Sequence, residues 1–326
     1  MAIEVDLAAA GPTMAAMVER AERWAAMVTD PGAESAAVFA CERELEAAGD
    51  APWIAGALTW AGTHFGAFTL PSLERPASAA QLPPRRPGPW PWLAPLLAKH
   101  ARQGDQALLL GGACGGASLA IAERFTSATV LDAAPHALAL GDALATKLRI
   151  GAPVQLRLQR EPWRRESLPL VLPATVGARL ARCRWLLADA VAPPLAAGAF
   201  DLVLALGLLD SVRDPWFVLQ QAAALTAPGG LLVVAAPWCD RPDITPQALS
   251  LTTIALAKGH RSPMDALVAG AFWPDDGRGR SGALDPAEWP ICLGRRGGVP
   301  WRVRSHDRLS TRWAMDVAWF RAPNAS

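Results

Sequence analysis

Between residues 107 and 237, short aliphatic runs alternate with longer segments of helical character. The runs read ALLLG, ATVLD, RWLLAD, FDLVLAL and LLVVAAP, and most of their residues are apolar at odd and even positions alike. Strands that are apolar on both faces are typical of a parallel sheet that helices cover on both sides. The alternation of strand and helix favours the same architecture. We therefore predict an α/β fold built on a mainly parallel sheet.

The residues before this region follow two other patterns. Residues 1–66 carry apolar side chains at helical spacing and predict three successive helices. The stretch LPPRRPGPWPW, which ends at residue 92, predicts a surface connector, because proline is excluded from helix interiors and central strands. We expect a helical cap and connector over residues 1–92 and a second domain over residues 93–326. The cap either simply packs on that domain, or acts as a lid over a cleft, or offers a surface for a homodimer or protein partner.

Two further segments lie within the second domain. Residues 151–183 form an insertion rich in arginine, which is either a solvated excursion or a patch that binds an anion or another subunit. The tail over residues 285–321 contains WPICLG, VPWRVR and DVAWFRA. These runs predict two closing strands that are antiparallel to each other.

Charge and composition argue against several classes of partner and location. The 326 residues carry 31 Lys and Arg against 30 Asp and Glu, so no strong field favours nucleic acid or an anionic membrane surface. We expect no membrane span, because no run of about 18 apolar residues is present, and no signal peptide, because the first residues lack the pattern. The five cysteines form no C-x-x-C pair, so we expect no metal site or disulfide framework and a cytoplasmic location.

The first aliphatic run ends in the glycine-rich stretch ALLLGGACGGAS, residues 107–118. In a parallel sheet such a turn lies at the carboxyl edge, where ligands bind. Glycine lets the backbone turn sharply and approach a ligand closely. No G-K-[ST] follows, so the turn is not a Walker loop. Its candidate cofactor-binding residues are Gly111, Gly112, Ala113 and Gly115.

Two acids stand at the ends of the next two predicted strands. Asp132 ends the run VLD, where a carboxylate can accept hydrogen bonds from both hydroxyls of a ribose. Asp189, followed by Ala190, ends the run LLAD, where a carboxylate can accept from an adenine amino group. Each acid alone is a common strand-end residue, but their order after a glycine-rich turn is more specific. We therefore include all three residues among the candidate cofactor contacts.

This ordered set, together with FDLVLALGLLDSVRDP and APGGLLVVAAPW, resembles the class I S-adenosylmethionine (SAM)-dependent methyltransferases over roughly residues 93–238. The resemblance implies SAM as the cofactor and a small-molecule substrate. It also implies a Rossmann-like sheet that is mainly parallel, with an antiparallel C-terminal strand and the helical region added at the N-terminus.

A narrower resemblance is to the family that N-methylates mercaptohistidine in ovothiol biosynthesis. It rests on ALLLGGACGGASLAIAERF and FDLVLALGLLDSVRDP and on three shorter stretches, which are THFG, APWCDRPDITP and VPWRVRSHDR. The resemblance implies N-methylation of a small imidazole or amino-acid-like acceptor. It marks His64 and His306 as candidate catalytic residues, and Gly207, Trp238 and Arg304 as candidate substrate contacts.

The chain departs from that family at several of these positions. The acid of the first strand, which in methyltransferases usually receives the methionyl ammonium of SAM, is Leu109 here. Gly207 replaces an Asn, while Trp238 and Asp240 replace a Tyr and a Trp. Two other interpretations therefore stay open. The protein is a non-catalytic partner protein with a methyltransferase fold, or it methylates a peptide or natural product beneath a helical lid.

The expected chemistry asks little of the protein's side chains. The methyl group of SAM is already activated, so the protein mainly aligns donor and acceptor and excludes water, and a base is needed only where the acceptor is protonated. His64 and His306 are either that base or structural residues. Arg304 can hold a substrate carboxylate, and Trp238 can stack on the acceptor or the cofactor. We interpret Cys114, inside the glycine-rich turn, as a small packing residue.

Overall fold

The computed structural model describes residues 4–5, 12–65, 90–161, 164–169, 178, 180–270, 272, 288–306 and 309–324. The strands in these residues are β1 (Glu4–Val5), β2 (Gly104–Leu110), β3 (Phe125–Asp132), β4 (Gln155–Glu161), β5 (Arg164–Pro169), β6 (Cys183–Leu187), β7 (Phe200–Leu206), β8 (Thr226–Ala236), β9 (Ile291–His306) and β10 (Leu309–Arg321). The helices are α1 (Pro12–Val28), α2 (Ser35–Ala47), α3 (Ala51–Phe65), α4 (Leu93–His100), α5 (Ser118–Ile121), α6 (Pro135–Arg149), α7 (Pro215–Leu225), α8 (Leu251–Ala257) and α9 (Pro263–Val268).

Eight of these strands form one sheet in the order β1-β6-β3-β2-β7-β8-β10-β9. Strands β1, β6, β3, β2, β7 and β8 pair in parallel, while β10 pairs antiparallel with both β8 and β9. This is the predicted mainly parallel sheet with an antiparallel C-terminal strand, and it confirms the fold class. The two closing strands over the tail are confirmed as well.

The central strands bury both of their faces, as their aliphatic sequences predict. Leu108 and Val203 point into a core formed with α7, α8 and α9, whereas Leu109 and Leu204 point into the opposite core, formed with α1 to α4 and α6. All four residues are at most 1% exposed. The N-terminal helices therefore cover the face of the sheet to which Leu109 belongs.

The β9–β10 hairpin extends past the carboxyl edge of the sheet. Asp316 of β10 pairs with Ala236, the last residue of β8, so the hairpin residues 299–315 continue beyond that strand end. Helix α3 packs against β9 in this projecting part. The hairpin and the N-terminal helices therefore stand together at the edge where ligands bind in a parallel sheet.

The structure differs from the sequence predictions in four places. Glu4–Val5 forms a strand that extends the sheet, although helices were predicted for this region. The sequence predicts a helix from Ser118 to Phe125, but α5 ends at Ile121 and β3 begins at Phe125. Part of the arginine-rich insertion forms the separate β4–β5 hairpin. Helices α8 and α9 were not predicted, although Ser250 and Ser262 cap them with their hydroxyl oxygens.

A polar cluster ties the N-terminal helices to α6. The carboxylate of Asp50 accepts two hydrogen bonds from Arg20 of α1, at 2.9 and 3.2 Å, and its side chain is only 2% exposed. His136 at the start of α6 is fully buried, with its Nε2 3.7 Å from the same carboxylate and its ring edge-on to Trp24. Burial lowers the pKa of His136 to about 4, so the ring is neutral at pH 7.

No helix among the residues that the structure describes combines the length and the apolar character that a membrane crossing requires.

We predict that Asp50→Ala destabilises the protein by about 1.5–3 kcal/mol, because it leaves a partly buried guanidinium without its bidentate acceptor. Glu44→Ala is the matched control. It removes the exposed ion pair with Arg23 and is expected to cost less than about 1 kcal/mol. The free energies of unfolding from urea titrations measure both changes. Equal losses would mean that the Arg20–Asp50 pair does not hold α1 against the start of α3.

We also predict that His136 makes the protein sensitive to acid. Its pKa is about 4 in the folded state, below the value of about 6.5 expected when unfolded, so the unfolded chain binds more protons between these values. Stability is therefore lost as the pH falls from about 6.5 to 4, by on the order of 2–3 kcal/mol from this residue. His136→Gln should flatten the dependence of unfolding free energy on pH in that window. Parallel pH profiles for the variant and the native protein would contradict this.

Candidate active site

A cavity of about 430 Å³ opens at the carboxyl edge of the sheet. This size falls within the roughly 300–1,000 Å³ that is typical of cofactor and small-molecule sites. The strand ends contribute one wall, through Gly111, Gly112, Ala113, Asp132, Asp189, Ala190 and Gly207. The N-terminal region contributes the other, through Trp53, Trp60, His64 and Trp90. The cavity thus brings together most of the residues that the sequence put forward.

The glycine-rich turn is shaped by internal packing as well as by backbone conformation. Gly111 has φ +64°, and a Cβ built on it would lie 2.6 Å from the side chain of Leu208. A Cβ on Gly112 would lie 2.6 Å from the side chain of Val130. The sequence argument explained these glycines by close approach of a ligand. The structure adds a second reason, which is that neighbouring side chains of the same domain already fill the space.

Asp132 lies at the end of β3 and orders the turn beside it. One carboxylate oxygen accepts a hydrogen bond from the backbone N–H of Ala113 at 2.8 Å, and the other accepts from that of Ala134 at 2.9 Å. Burial raises the pKa of Asp132, and these N–H groups oppose the rise. A carboxylate has about four lone-pair sites. Asp132 also lines the cavity, so its remaining acceptor capacity is available there to a ligand.

The turn carries its strain at Ala113, which has φ +46° although it is not glycine. Such a conformation is uncommon for residues with a Cβ and is found where the surroundings impose it. Here the hydrogen bond from its N–H to Asp132 holds the residue in place. The acid and the turn therefore form one unit.

Asp189 and Ala190 follow β6 on the same side of the cavity. Asp189 is exposed, and one of its carboxylate oxygens accepts a hydrogen bond from the N–H of Val191 at 2.9 Å. Ala190 is buried. The part of the cavity that the sequence predicts for adenine thus contains the accessible carboxylate of Asp189 next to the small apolar side chain of Ala190.

Helix α3 reaches the glycine-rich turn through His64. The N–H of Gly116 donates a hydrogen bond to Nδ1 of His64 at 3.2 Å, and a Cβ on Gly116 would lie 2.4 Å from that ring. His64 is 5% exposed, and burial lowers its pKa to about 4. Cys114 of the turn donates to the carbonyl of Ala57 in α3 at 3.7 Å, and burial raises the pKa of its thiol. These contacts support the interpretation of Cys114 as a packing residue.

Gly207, at the end of β7, faces a stack of three indoles. A Cβ on Gly207 would lie 3.0 Å from the ring of Trp301. Trp301 stacks between Trp60 and Trp90, with ring centroids 5.8 and 5.3 Å apart and planes inclined by 17° and 21°. Gly207, a substrate contact predicted from the sequence, therefore leaves room for the Trp301 ring.

Two of the predicted site residues do not line this cavity. Gly115 packs under the turn, where a Cβ would lie 2.7 Å from the ring of Trp185. Trp238 borders a separate small recess after β8, and its indole N–H donates to the carboxylate of Asp316 at 3.1 Å. The side chains of Arg304 and His306 lie outside the described residues, although their backbone belongs to the projecting part of β9.

Sequence reasoning missed the tryptophans Trp53, Trp60 and Trp90. Trp60 precedes His64 by four residues on α3, and residues at this spacing share a helix face. That spacing could have identified Trp60 once His64 was considered. Sequence reasoning also missed Ser211 and Arg213, which line the cavity after β7. No local signal marked Trp90, because only the tertiary structure brings the end of the connector to the cavity.

The residues present fit SAM at its nucleoside end. Asp132 and Asp189 supply acceptors there, but the apolar Leu109 stands where methyltransferases usually have an acid for the methionyl ammonium. The described part of the chain contains no cluster of three or more His, Cys, Asp or Glu that could hold a metal ion, and its five cysteines are free.

Comparisons with known proteins agree with this assignment. The sequence profile described as a methyltransferase domain matches residues 108–234, which run from within β2 to within β8 and contain both acids. No curated protein matches the chain.

Solved structures give only loose likenesses. The chain is similar to the YcgJ protein from Bacillus subtilis, with 9% identity over 72% of this chain and 98% of that chain and a TM-score of 0.42. It is similar to the N-methyltransferase NodS from Bradyrhizobium japonicum in complex with S-adenosyl-L-homocysteine, with 17% identity over 71% and 83% of the two chains and a TM-score of 0.35. It is also similar to a SAM-dependent methyltransferase from Methanosarcina mazei, with 12% identity over 71% of this chain and 98% of that chain and a TM-score of 0.41.

The assignment therefore rests on the domain match and on the site itself. The strand order, the ordered glycine-rich turn and the carboxylate at the end of β3 are all found within or beside the matched residues. Together they assign a methyltransferase domain to residues 108–234, and the protein is a SAM-dependent methyltransferase.

Proposed function

We propose that the protein transfers the methyl group of SAM to a nitrogen of a small imidazole or amino-acid-like acceptor. The observation that carries this proposal is the aromatic wall of the cavity, formed by Trp60 and Trp90 with Trp301 stacked between them. Indole faces favour flat rings, through offset stacking, and cationic groups. The resemblance to the mercaptohistidine N-methyltransferases supports the same class of acceptor.

The chemistry needs alignment more than it needs acid or base. SAM, when bound, supplies a methyl group activated by a sulfonium. The lone pair of a neutral acceptor nitrogen forms the new C–N bond as the C–S bond breaks, so donor and acceptor must lie in line in a site from which water is excluded. Trp90 is suited to orient a flat acceptor, and α3 and this connector residue cover the cavity on that side.

Proton removal from the acceptor falls to a separate group. His306 is our candidate for this role, since its backbone lies in the part of β9 that projects beyond the carboxyl edge. His64 is the second candidate, but its lone-pair nitrogen, Nδ1, accepts a hydrogen bond from Gly116, so the ring can act as a base only if that contact is given up. A carboxylate on the acceptor would pair with Arg213, which lines the cavity, or with Arg304.

We predict that Asp132 dominates the affinity for the cofactor. Asp132→Ala removes a charged acceptor for the ribose hydroxyls, so the affinity for S-adenosylhomocysteine (SAH) should fall by about 1.5–3 kcal/mol, or roughly tenfold to a hundredfold. Asp142→Ala, ten residues later and outside the cavity, is the matched control and should leave the affinity within about twofold. Isothermal titration calorimetry measures both. If the two variants lose equal affinity, Asp132 does not bind the ribose.

We predict turnover with imidazole acceptors that carry a carboxylate. A screen would offer histidine, mercaptohistidine and imidazoles without a carboxylate, and mass spectrometry would detect the added methyl group. Arg213→Ala and Arg304→Ala are expected to raise KM for the carboxylate-bearing acceptors about tenfold or more, since a charged hydrogen bond is lost. Arg149→Ala, at the end of α6 away from the cavity, is the control.

The same screen separates the remaining interpretations. If only peptides or larger natural products are methylated, the acceptor is of that larger class and not a small imidazole or amino acid. Binding of SAH without methylation of any acceptor would favour the partner-protein interpretation of this fold.

A further inference from the structure

The methionyl end of SAM has no acidic partner on β2, the strand that usually provides one in methyltransferases. Leu109 is 1% exposed and belongs to the same apolar layer as Trp90 and Trp301. The acids that line the cavity among the described residues are Asp132 and Asp189, and both follow the strands of the nucleoside side. A positively charged group on the Leu109 side therefore meets an apolar and aromatic surface.

Helix α3 supplies two side chains to that surface. Trp60 and His64 are four residues apart and lie on one face of the helix, with ring centroids 5.6 Å apart. Both line the cavity. Trp60 is also braced by Trp301, which stacks on it at 5.8 Å. Of the aromatic side chains, tryptophan attracts a cation over its ring face most strongly.

The hydrogen-bonding state of His64 follows from its contact with the turn. Nδ1 accepts from the N–H of Gly116, so this nitrogen carries no hydrogen. The ring is neutral at pH 7, since burial lowers its pKa to about 4. In a neutral imidazole the other nitrogen is then the one that bears the hydrogen. Nε2–H of His64, which has no hydrogen-bond partner among the described residues, is a donor available to an anionic oxygen.

We propose that helix α3 binds the amino-acid end of SAM, with the indole of Trp60 contacting the ammonium and Nε2–H of His64 donating to the carboxylate. The two side chains thereby bind the amino-acid end of SAM in this protein, where Leu109 stands in the position of the usual acid. This assignment makes His64 a donor-binding residue, and it does not depend on which acceptor is methylated. It would also explain why the helical region and the glycine-rich turn are joined at His64.

The test compares two ligands that share adenosine and sulfur. SAH has the amino-acid end, and methylthioadenosine lacks it. For Trp60→Leu we expect SAH to bind roughly two- to thirtyfold more weakly, the range of a cation–π contact, with methylthioadenosine nearly unchanged. Trp60→Phe keeps an aromatic face and should lose less. Phe39→Leu, an exposed aromatic residue of α2 outside the cavity, is the control.

A second pair of measurements addresses His64. His64→Asn keeps an acceptor near Gly116 but removes the Nε2–H donor. The variant should bind SAH about tenfold or more weakly. Its affinity for decarboxylated SAH, which retains the ammonium but has no carboxylate, should be unchanged. Calorimetry provides the affinities, and circular dichroism confirms that each variant is folded.

Three results would overturn the proposal. Equal weakening of SAH and methylthioadenosine by Trp60→Leu would show that Trp60 only supports the pocket. No weakening of SAH by either the Trp60 or the His64 variants would show that α3 does not contact the amino-acid end. If the native protein binds neither SAH nor methylthioadenosine, the protein does not bind SAM and the proposal fails with it. Failure of the acceptor screen alone leaves the proposal for α3 intact.

Discussion

The contact between helix α3 and the glycine-rich turn is the interaction on which the cavity depends. His64 accepts a hydrogen bond from Gly116, and Cys114 donates to a carbonyl of the same helix. Gly116 must be glycine for this contact, because a Cβ there would meet the imidazole. The turn after the first strand of the matched domain is therefore shaped partly by a helix that lies outside that domain in sequence. The cavity has two walls because this contact joins them.

The unusual residues of the site form a consistent set once their packing is considered. Leu109, Trp90 and Trp301 share one apolar layer, and Gly207 gives the Trp301 ring its space. Read as isolated departures from a family pattern, Leu109 and Gly207 suggest lost function. In the structure both residues border the aromatic side of the cavity, where Gly207 leaves room for Trp301 and Leu109 packs in the same apolar core. A buried carboxylate at Leu109 would face apolar neighbours and would need a charged partner to offset its desolvation.

Polar groups in this region are neutral or are held by the backbone. Burial keeps both His64 and His136 unprotonated at pH 7, and the carboxylate of Asp132 is satisfied in part by two backbone N–H groups. The N-terminal helices contact the rest of the chain through apolar side chains, through the hydrogen bond from Gly116 to His64, and through His136, which lies beside Asp50. The Arg20–Asp50 ion pair lies within the N-terminal region and joins α1 to the start of α3.

The sequence by itself determined the sheet and the glycine-rich turn, and it placed the two candidate cofactor acids at the ends of strands. These features are local, because alternating aliphatic runs specify buried parallel strands, and a strand-end acid such as Asp132 keeps its place at the carboxyl edge in any such sheet. The tertiary structure decided the rest. It brought Trp60, Trp90 and Trp301 into one stack from three distant segments, directed Trp238 to Asp316 outside the cavity, and set the tautomer of His64 through Gly116. These outcomes depend on contacts between residues far apart in the chain, which spacing along the sequence does not specify.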